Sequence, residues 1–325
     1  MRLMKYILLA AYLMTGCKDQ RSGGKGEADR VRVGVLNGPA AVSIVQMMER
    51  GKLTAGEIPI EFIIRSEPGQ IQSLMFHEEV DFAFLPSTTA AILYNSGFNY
   101  QAIVVPLWGS MYLVGSDPAI TTVRDLRGKS VGQMGRGVVP DIVLRYILIQ
   151  SGLEPDEDVR IDYNFPSHIE LASAVKAGIT SLGVLSEPQV SLIINQNPRL
   201  GVMLDLTREW CQVTGDSIPF AQTVMMVGNT FSRNNSRIVD QFLEDFRKNI
   251  EWINMNPAGA AALIVKHRII PDSIAAKACI PRCNLRYKFA ADEKKGVMDF
   301  YKVLFNLNMD AVGGRIPDEN FFYTK

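Results

Sequence analysis

Hydrophobic and polar positions follow two periods along this chain, and the periods alternate in a regular order. Short apolar runs typical of β-strands are each followed by a Gly-, Pro- or Ser-rich break and then by apolar residues at helical spacing. The first series predicts strands at 31–36, 58–64 and 80–85 and helices at 40–50, 70–79 and 89–95. The second series predicts strands at 130–133, 159–163 and 181–185 and helices at 141–150, 168–177 and 189–195. Such runs of β-loop-α units predict parallel sheets with right-handed crossovers.

Two strand-like segments link the two series. One lies within 101–115 and the other at 223–227, and the tail from 236 onward is mostly helical in pattern. The predicted fold class is therefore α/β, with two parallel-sheet lobes joined by two crossing segments and a ligand cleft between them. Lobe 1 is expected to comprise 31–107 and 223–325, with the C-terminal helices, and lobe 2 to comprise 108–222. Ligands of such sheets bind outside the carboxyl ends of the strands, where helix N-termini offer free N–H groups.

The N-terminus has the pattern of an export signal that ends at a cysteine. Basic Arg2 and Lys5 precede an apolar run at 6–13, which is too short to span a bilayer, and small residues then lead to Cys17. The segment resembles the lipobox of bacterial lipoproteins, which implies a signal peptide at 1–16 and acylation of Cys17. Residues 17–30 are rich in Gly and charged groups and are predicted to be a flexible tether. An ordinary secretory signal or a buried N-terminal helix are the alternatives.

Composition and charge are typical of a globular protein and argue against binding to nucleic acid. Hydrophobic residues make up 47% and charged residues 21%, which is typical of a globular protein. The formal net charge is zero, and loss of Arg2 and Lys5 with the signal would leave 0 − 2 = −2, so nothing favours binding to nucleic acid.

Cysteine and histidine content argues against metal or cofactor chemistry. Only three histidines are present, and none has ligand spacing with the cysteines, so neither a metal nor another cofactor is expected. Cys279 and Cys283 could form a local disulfide or remain two buried thiols, and Cys211 is expected in the core.

Several local motifs carry a resemblance to a known family. They are Leu36-Asn-Gly-Pro39, Glu78-Glu-Val-Asp-Phe-Ala-Phe-Leu-Pro86, Thr122-Val-Arg-Asp-Leu-Arg-Gly-Lys129, Gly183-Val-Leu-Ser-Glu-Pro188, Ile280-Pro-Arg-Cys-Asn284 and Val312-Gly-Gly-Arg-Ile-Pro-Asp318. In order and spacing the chain resembles type II periplasmic binding proteins of ABC importers, within the NMT1/THI5-like group. That group contains receptors for thiamine-precursor pyrimidines, sulfonates, nitrate and riboflavin.

The resemblance implies a receptor in the cell envelope, outside the cytoplasm. It would be lipid-anchored and monomeric, capture a small molecule in the cleft, and deliver it to an ABC permease and ATPase. The alternatives are an enzyme on the same fold, like MqnA and MqnD of the menaquinone pathway, or a sensor module. No paired acid and base, nucleophile elbow or metal cluster supports the enzyme.

Candidate ligand contacts in lobe 1 follow the predicted strands. Asn37, Gly38 and Pro39 end the first strand and could present N–H groups to a ligand, or form only a tight turn. Ser87 and Thr88 follow the third strand, where their hydroxyls could bind a ligand, cap the next helix, or do both. Ser66 follows the second strand and has a weaker claim.

Candidates in lobe 2 suggest two kinds of ligand. Arg136, between Gly135 and Gly137, could clamp a sulfonate, carboxylate or phosphate, or could be an ordinary surface arginine. Trp108 could stack on a planar heterocycle, or pack in the core. Glu187 could accept a hydrogen bond from a ligand amino group. His168 is expected to be exposed.

Overall fold

The strands form two five-stranded sheets in the parts of the chain that the structure, a computed structural model, describes: residues 28–215 and 219–325. Sheet 1 contains β1 (Val31–Leu36), β2 (Ile60–Arg65), β3 (Phe82–Pro86), β4 (Tyr100–Trp108) and β10 (Ala221–Gly228). Sheet 2 contains β5 (Met111–Gly115), β6 (Ser130–Gly132), β7 (Arg160–Asp162), β8 (Leu182–Ser186) and β9 (Gly201–Asp205). Their strand orders are β2-β1-β3-β10-β4 and β7-β6-β8-β5-β9.

Helices follow most strands, as the alternating pattern predicts. Those of the two β-loop-α series are α1 (Pro39–Val42), α2 (Val45–Arg50), α3 (Pro68–Phe76), α4 (Ser87–Asn95), α5 (Val139–Gln150), α6 (His168–Ala177), α7 (Gln189–Gln196) and α8 (Leu206–Thr214). The C-terminal part forms α9 (Asn229–Asn234), α10 (Ser236–Met255), α11 (Pro257–Lys266), α12 (Ser273–Arg282) and α13 (Lys294–Leu307). No helix in the described ranges is long and apolar enough to cross a membrane.

The two α/β lobes confirm the predicted fold class, but each sheet is mixed. β1 pairs in parallel with β2 and β3, and β6 with β7 and β8. In contrast, β10 runs antiparallel to β3 and β4, and β5 runs antiparallel to β8 and β9. The reason lies in the crossing segments. β4 reaches the carboxyl edge of sheet 1, and after Gly109 and Ser110 the chain enters sheet 2 from its own carboxyl edge, so β5 must run backwards.

The predicted helix at 40–50 is divided into α1 and α2. Ser43 ends α1, and its hydroxyl donates to the Ala40 carbonyl at 2.6 Å. Asn249 of α10 holds the break, since its amide donates to the Ser43 carbonyl and its oxygen accepts from Gln46 N and Met47 N at 3.1 and 3.2 Å. Because Asn249 lies about two hundred residues away in sequence, local periodicity could not reveal the break.

Aromatic side chains pack where the second crossing segment reaches α13. Trp210 of α8 lies against Phe220 and Phe300, with ring centroids 5.5 Å apart in each pair. Phe220 and Phe300 are themselves 5.7 Å apart, and all three rings are buried. This packing fixes α13 against the segment that connects sheet 2 to sheet 1.

The last forty residues cover the outer edge of sheet 1. Ala290 N donates to Ile103 O at 3.0 Å, Val105 N to Lys288 O at 2.9 Å, and Tyr323 N to Ala102 O at 2.9 Å. These bonds satisfy the β4 backbone groups that an edge strand would otherwise expose.

Candidate functional site

The two carboxyl edges meet at the link between β4 and β5. Gly109 has φ +69°, a left-handed conformation, and a Cβ built there would lie 2.5 Å from Thr207 Oγ1. Glycine is therefore required on both conformational and steric grounds. The second crossing segment enters β10 at Ala221, which pairs with Trp108, so both connections reach the carboxyl edge of sheet 1. The cleft predicted from the sequence would lie between these edges.

Asn37, Gly38 and Pro39 lie at the carboxyl edge of sheet 1, as predicted. Asn37 N still pairs with Arg65 O at 2.8 Å, so the ladder continues to this residue. Gly38 has φ 131° and ψ −147°, a conformation essentially restricted to glycine. Ser66 is exposed, and its N–H donates to Gln70 Oε1 at 3.2 Å, beside the capping box of Glu67 and Gln70 at the start of α3.

Ser87 and Thr88 open α4, which starts without a side-chain cap. The Ser87 hydroxyl donates to the Ala221 carbonyl, and Tyr301 OH donates to the Ser87 carbonyl at 3.1 Å. Neither residue caps α4, although the sequence left that role open. The α4 N-terminus therefore keeps its N–H groups free of side-chain acceptors at the centre of sheet 1.

Buried polar atoms without hydrogen-bond partners concentrate at the two edges. Among the described residues eight such side-chain atoms occur, and five belong to edge residues: Ser110, Gln133, His168, Thr207 and Gln222. Leaving a buried polar group unpaired costs about 1–3 kcal/mol, so a cluster of them indicates a site whose partner is a ligand or water.

Three of these residues are almost fully buried in lobe 2. Ser110 and Gln133 have no exposed surface, and Thr207 is 8% exposed. Gln133 Oε1 accepts from Met134 N at 3.0 Å, so only its amide N–H₂ group is unpaired. None of the three was predicted from the sequence. The available signal was a polar residue directly after or before an apolar strand, as at Gly132-Gln133 and Ser110-Met111.

Arg136 is directed towards groups of its own lobe. Its guanidinium lies 3.5 Å from Asp156 and 4.7 Å from the centroid of the Tyr163 ring, and the side chain is 63% exposed. Gly135 and Gly137 flank it with φ +66° and +78°. The placement matches the surface alternative more closely than a clamp on a ligand.

A buried carboxylate holds the loop that carries Arg136. Asp141 Oδ2 accepts from Gly137 N at 2.7 Å, and Oδ1 accepts from Arg145 Nε at 3.0 Å and Tyr163 OH at 2.6 Å. Burial, together with the hydrogen bond to Asp141, raises the pKa of Tyr163 to about 12. The loop is thereby fixed to the first turn of α5.

Glu187 is used inside the protein. Its side chain has no exposed surface, Oε1 accepts from Ser191 Oγ at 2.8 Å, and Oε2 accepts from Ser191 N at 3.1 Å. Arg282 of α12 approaches to 3.7 Å, and its backbone carbonyl accepts from Tyr112 OH at 2.8 Å. Burial raises the pKa of Glu187. The carboxylate thus caps α7 and links it to α12 rather than presenting free oxygens.

Trp108 packs in the core. It is 1% exposed, and its indole N–H donates to Val105 O at 2.9 Å. Asn284 Nδ2 also donates to its backbone carbonyl. The contacts agree with the core-packing alternative and leave no ring face for a heterocycle.

His168 is less exposed than the sequence indicated. The residue is half-buried, and Nδ1 of its ring is buried without a partner. Burial lowers the pKa of His168 to about 4, so the imidazole is neutral at pH 7.

A cavity of about 310 Å³ lies at the opposite, amino edge of sheet 1. Arg32 and Asp81 line it, and Asp81 Oδ1 and Oδ2 accept from Arg32 Nη2 and Nε at 2.7 and 3.2 Å. Because these polar groups satisfy each other and lie at the wrong end of the strands, we do not assign the ligand site here.

The sequence predicts no metal site and allows a disulfide between Cys279 and Cys283. In residues 28–215 and 219–325 no group of three or more His, Cys, Asp or Glu side chains could hold a metal ion. Cys279 and Cys283 are buried and form no disulfide with each other. Cys17, the signal peptide and all but the last three residues of the tether lie outside the described residues.

Comparisons with known proteins bear on the whole arrangement. A family model described as "ABC transporter, phosphonate, periplasmic substrate-binding protein" matches residues 44–261. No curated protein matches the sequence. A solved ABC transporter protein from Parabacteroides distasonis is 28% identical, with a TM-score of 0.81, over 92% of this chain and 100% of that one.

More distant solved structures share the fold. The periplasmic aliphatic sulphonate binding protein SsuA from Escherichia coli is 15% identical with a TM-score of 0.70, covering 92% of this chain and 95% of that one. The alkanesulfonate-binding protein SsuA from Xanthomonas axonopodis pv. citri, bound to MOPS, is 14% identical with a TM-score of 0.65, covering 91% and 97%. Since the family model spans more than half of the 325 residues, the chain belongs to the phosphonate-type family of periplasmic substrate-binding proteins of ABC transporters.

Proposed function

We propose that this protein is a lipid-anchored receptor that captures a small oxyanion, a sulfonate or phosphonate, and delivers it to an ABC permease and ATPase. The observation that supports this most directly is the set of buried, unpaired donors at the carboxyl edge of sheet 2. An oxyanion has acceptor atoms for each of them, and the uncapped α4 N-terminus of sheet 1 offers further N–H groups.

The proposed receptor has lobe 1 at 31–107 and 223–325 and lobe 2 at 108–222. Ligand would bind between the lobes and shift an equilibrium between open and closed forms towards the closed one. We place Asn37, Gly38, Ser87 and Thr88 on one side of the ligand. On the other side we place Ser110, Gln133 and Thr207 in preference to Trp108, Arg136 and Glu187.

The ligand class is tested by calorimetry with alkylsulfonates, alkylphosphonates, nitrate and a thiamine-precursor pyrimidine. Ser110→Ala is expected to weaken oxyanion binding at least tenfold, because a hydrogen bond to a charged group contributes about 1.5–3 kcal/mol. The stability of the free protein should not fall, since the substitution removes an unpaired buried hydroxyl. Binding of the pyrimidine but of no oxyanion would refute the proposal.

Ser232→Ala is the matched control. Ser232 is also buried, at 4% exposure, but its hydroxyl donates to Asn229 O at 3.2 Å near the amino edge. This variant should lose about 1 kcal/mol of stability and keep the affinity of wild type.

Lipid anchoring at Cys17 is tested separately. Cys17→Ser should release the protein from the membrane fraction and remove labelling by a radioactive or clickable fatty acid, while ligand affinity stays unchanged. Membrane association that survives the substitution would contradict the anchor and leave the receptor function standing.

A further inference from the structure

We infer that the site selects oxyanions with a single negative charge, such as a sulfonate or the monoanion of a phosphonate, and disfavours the phosphonate dianion. The inference deepens the proposed function and rests on it. It depends on the balance of charged and neutral groups at the two carboxyl edges, as far as the described residues extend.

The unpaired donors at the site are all neutral. Ser110 and Thr207 contribute hydroxyls, and Gln133 contributes an amide N–H₂ group. Neutral donors can satisfy the oxygens of an anion, but they cannot compensate a second full charge as a cation would.

The arginines near these edges are already engaged or lie in solvent. Arg136 pairs with Asp156, Arg145 with Asp141 and Asp156, and Arg282 with Glu187. Arg65, at the end of the outer strand β2, is exposed, and its Nη1 donates to Ile64 O at 2.9 Å. Within residues 28–215 and 219–325, these edges therefore present no buried cation without a carboxylate partner.

Carboxylates of the protein occupy the helix starts of lobe 2. Glu187 accepts from Ser191 N in α7, and Asp205 accepts from Thr207 N in α8 at 2.9 Å. Asp141, buried in the first turn of α5, accepts from Gly137 N. The N–H groups of Gly137, Ser191 and Thr207 are therefore already used by the protein's own carboxylates. Because Asp141 and Glu187 are paired with Arg145 and Arg282, neither pair adds net positive charge at this edge that could compensate a second ligand charge.

The test compares an alkylsulfonate and the matching alkylphosphonate by calorimetry at pH values on both sides of the second ionisation of the phosphonate. That ionisation is measured by ³¹P NMR in the same buffers. The sulfonate keeps one charge throughout, so its Kd should stay constant. The phosphonate Kd should rise about tenfold per pH unit above the ionisation, because the monoanion fraction falls tenfold per unit.

A phosphonate Kd that stays constant or falls as the dianion forms would overturn the selection for a single charge and leave the oxyanion receptor intact. Failure of both ligands to bind would overturn the proposed function itself. A loss of sulfonate affinity of about tenfold or more in Arg65→Ala or Arg136→Ala would also overturn the inference, because it would reveal a cation on the ligand.

Two isosteric variants check the source of the selectivity. Glu187→Gln and Asp141→Asn each remove one carboxylate charge. Each should improve the affinity for the phosphonate dianion severalfold more than that for the sulfonate. Equal effects on both ligands in both variants, with folding confirmed by circular dichroism, would show that these charges do not act on the ligand.

Discussion

Removal of the Arg282 side chain should destabilise the protein because it leaves Glu187 buried without its cation. Glu187 has no exposed side-chain surface, whereas Arg282 keeps 34% of its own exposed. Breaking a fully buried pair costs about 3–5 kcal/mol. Solvent screens this pair on one side, and Ser191 still donates two hydrogen bonds to the carboxylate, so we expect a loss of about 2 kcal/mol in Arg282→Ala.

The loss is measured by urea denaturation, with Lys277→Ala as the control on the exposed face of the same helix. Glu187→Gln should restore most of the stability of Arg282→Ala, because the amide oxygen can still accept from Ser191 and no charge remains buried. A double-mutant cycle over the two positions should give a coupling energy of about 1–2 kcal/mol.

The effect should also depend on pH. Burial raises the pKa of Glu187 in the folded state above its unfolded value, so the folded protein binds this proton more tightly. The stability contribution of this group is therefore full at low pH and is lost as the pH rises through the folded pKa. Removal of Arg282 should consequently cost most at high pH and least at low pH. A pH-independent loss, or an Arg282→Ala variant as stable as Lys277→Ala, would refute the reasoning.

Three further predictions concern Gly109 and Trp108 near the link between the sheets, and His168 at the start of α6. Gly109→Ala should cost at least about 2 kcal/mol of unfolding free energy. Adding Thr207→Ala should recover only part of this loss, because it removes the clash and leaves the left-handed backbone strain. An equal cost of Gly109→Ala with and without Thr207→Ala would contradict the steric account. Folding lowers the pKa of His168 from 6.5 to about 4, so unfolding at low pH takes up a proton, and wild type should lose about 1–3 kcal/mol of unfolding free energy as the pH falls from 6.5 to 4. His168→Asn should lose measurably less over the same range, and identical pH profiles would show that His168 is not the group responsible. Trp108→Ala should destabilise by about 3–5 kcal/mol in thermal or urea unfolding, and a variant of normal stability that no longer binds ligand would instead place the ring in the site.

Local pattern was sufficient for the duplicated α/β architecture and for the strand ends that face each other. The period of apolar residues and the breaks at Asn37-Gly38-Pro39 and Pro86-Ser87 are local signals, and each indicates a strand end directly. The antiparallel direction of β5 could not be predicted locally, because its partner strands β8 and β9 lie much later in the sequence.

The chemistry of the candidate site was less accessible. Glu187 and Arg136 have residue types that suit a ligand, but their partners lie far away or on another element. Ser191 donates to the Glu187 carboxylate, and its hydroxyl accepts a hydrogen bond from Arg282, which lies 91 residues later in the sequence. The unpaired donors carry no distinctive motif either, since a single Ser, Gln or Thr beside a strand is common. Only the folded structure shows that these buried side-chain donors lack hydrogen-bond partners, which distinguishes them from ordinary polar residues.

The interleaved order of sheet 1 has a consequence for how a chain emerging N-terminus first can fold. Every strand of sheet 2 lies between Met111 and Asp205, so that sheet can form from one continuous stretch. Sheet 1 needs β10 between β3 and β4, and the outer edge of β4 is completed by backbone bonds from the last forty residues, among them Lys288, Ala290 and Tyr323. Sheet 1 and its carboxyl edge are thus finished last. We expect a truncation that removes Tyr323 and its bond to Ala102 to leave sheet 2 folded and sheet 1 incomplete.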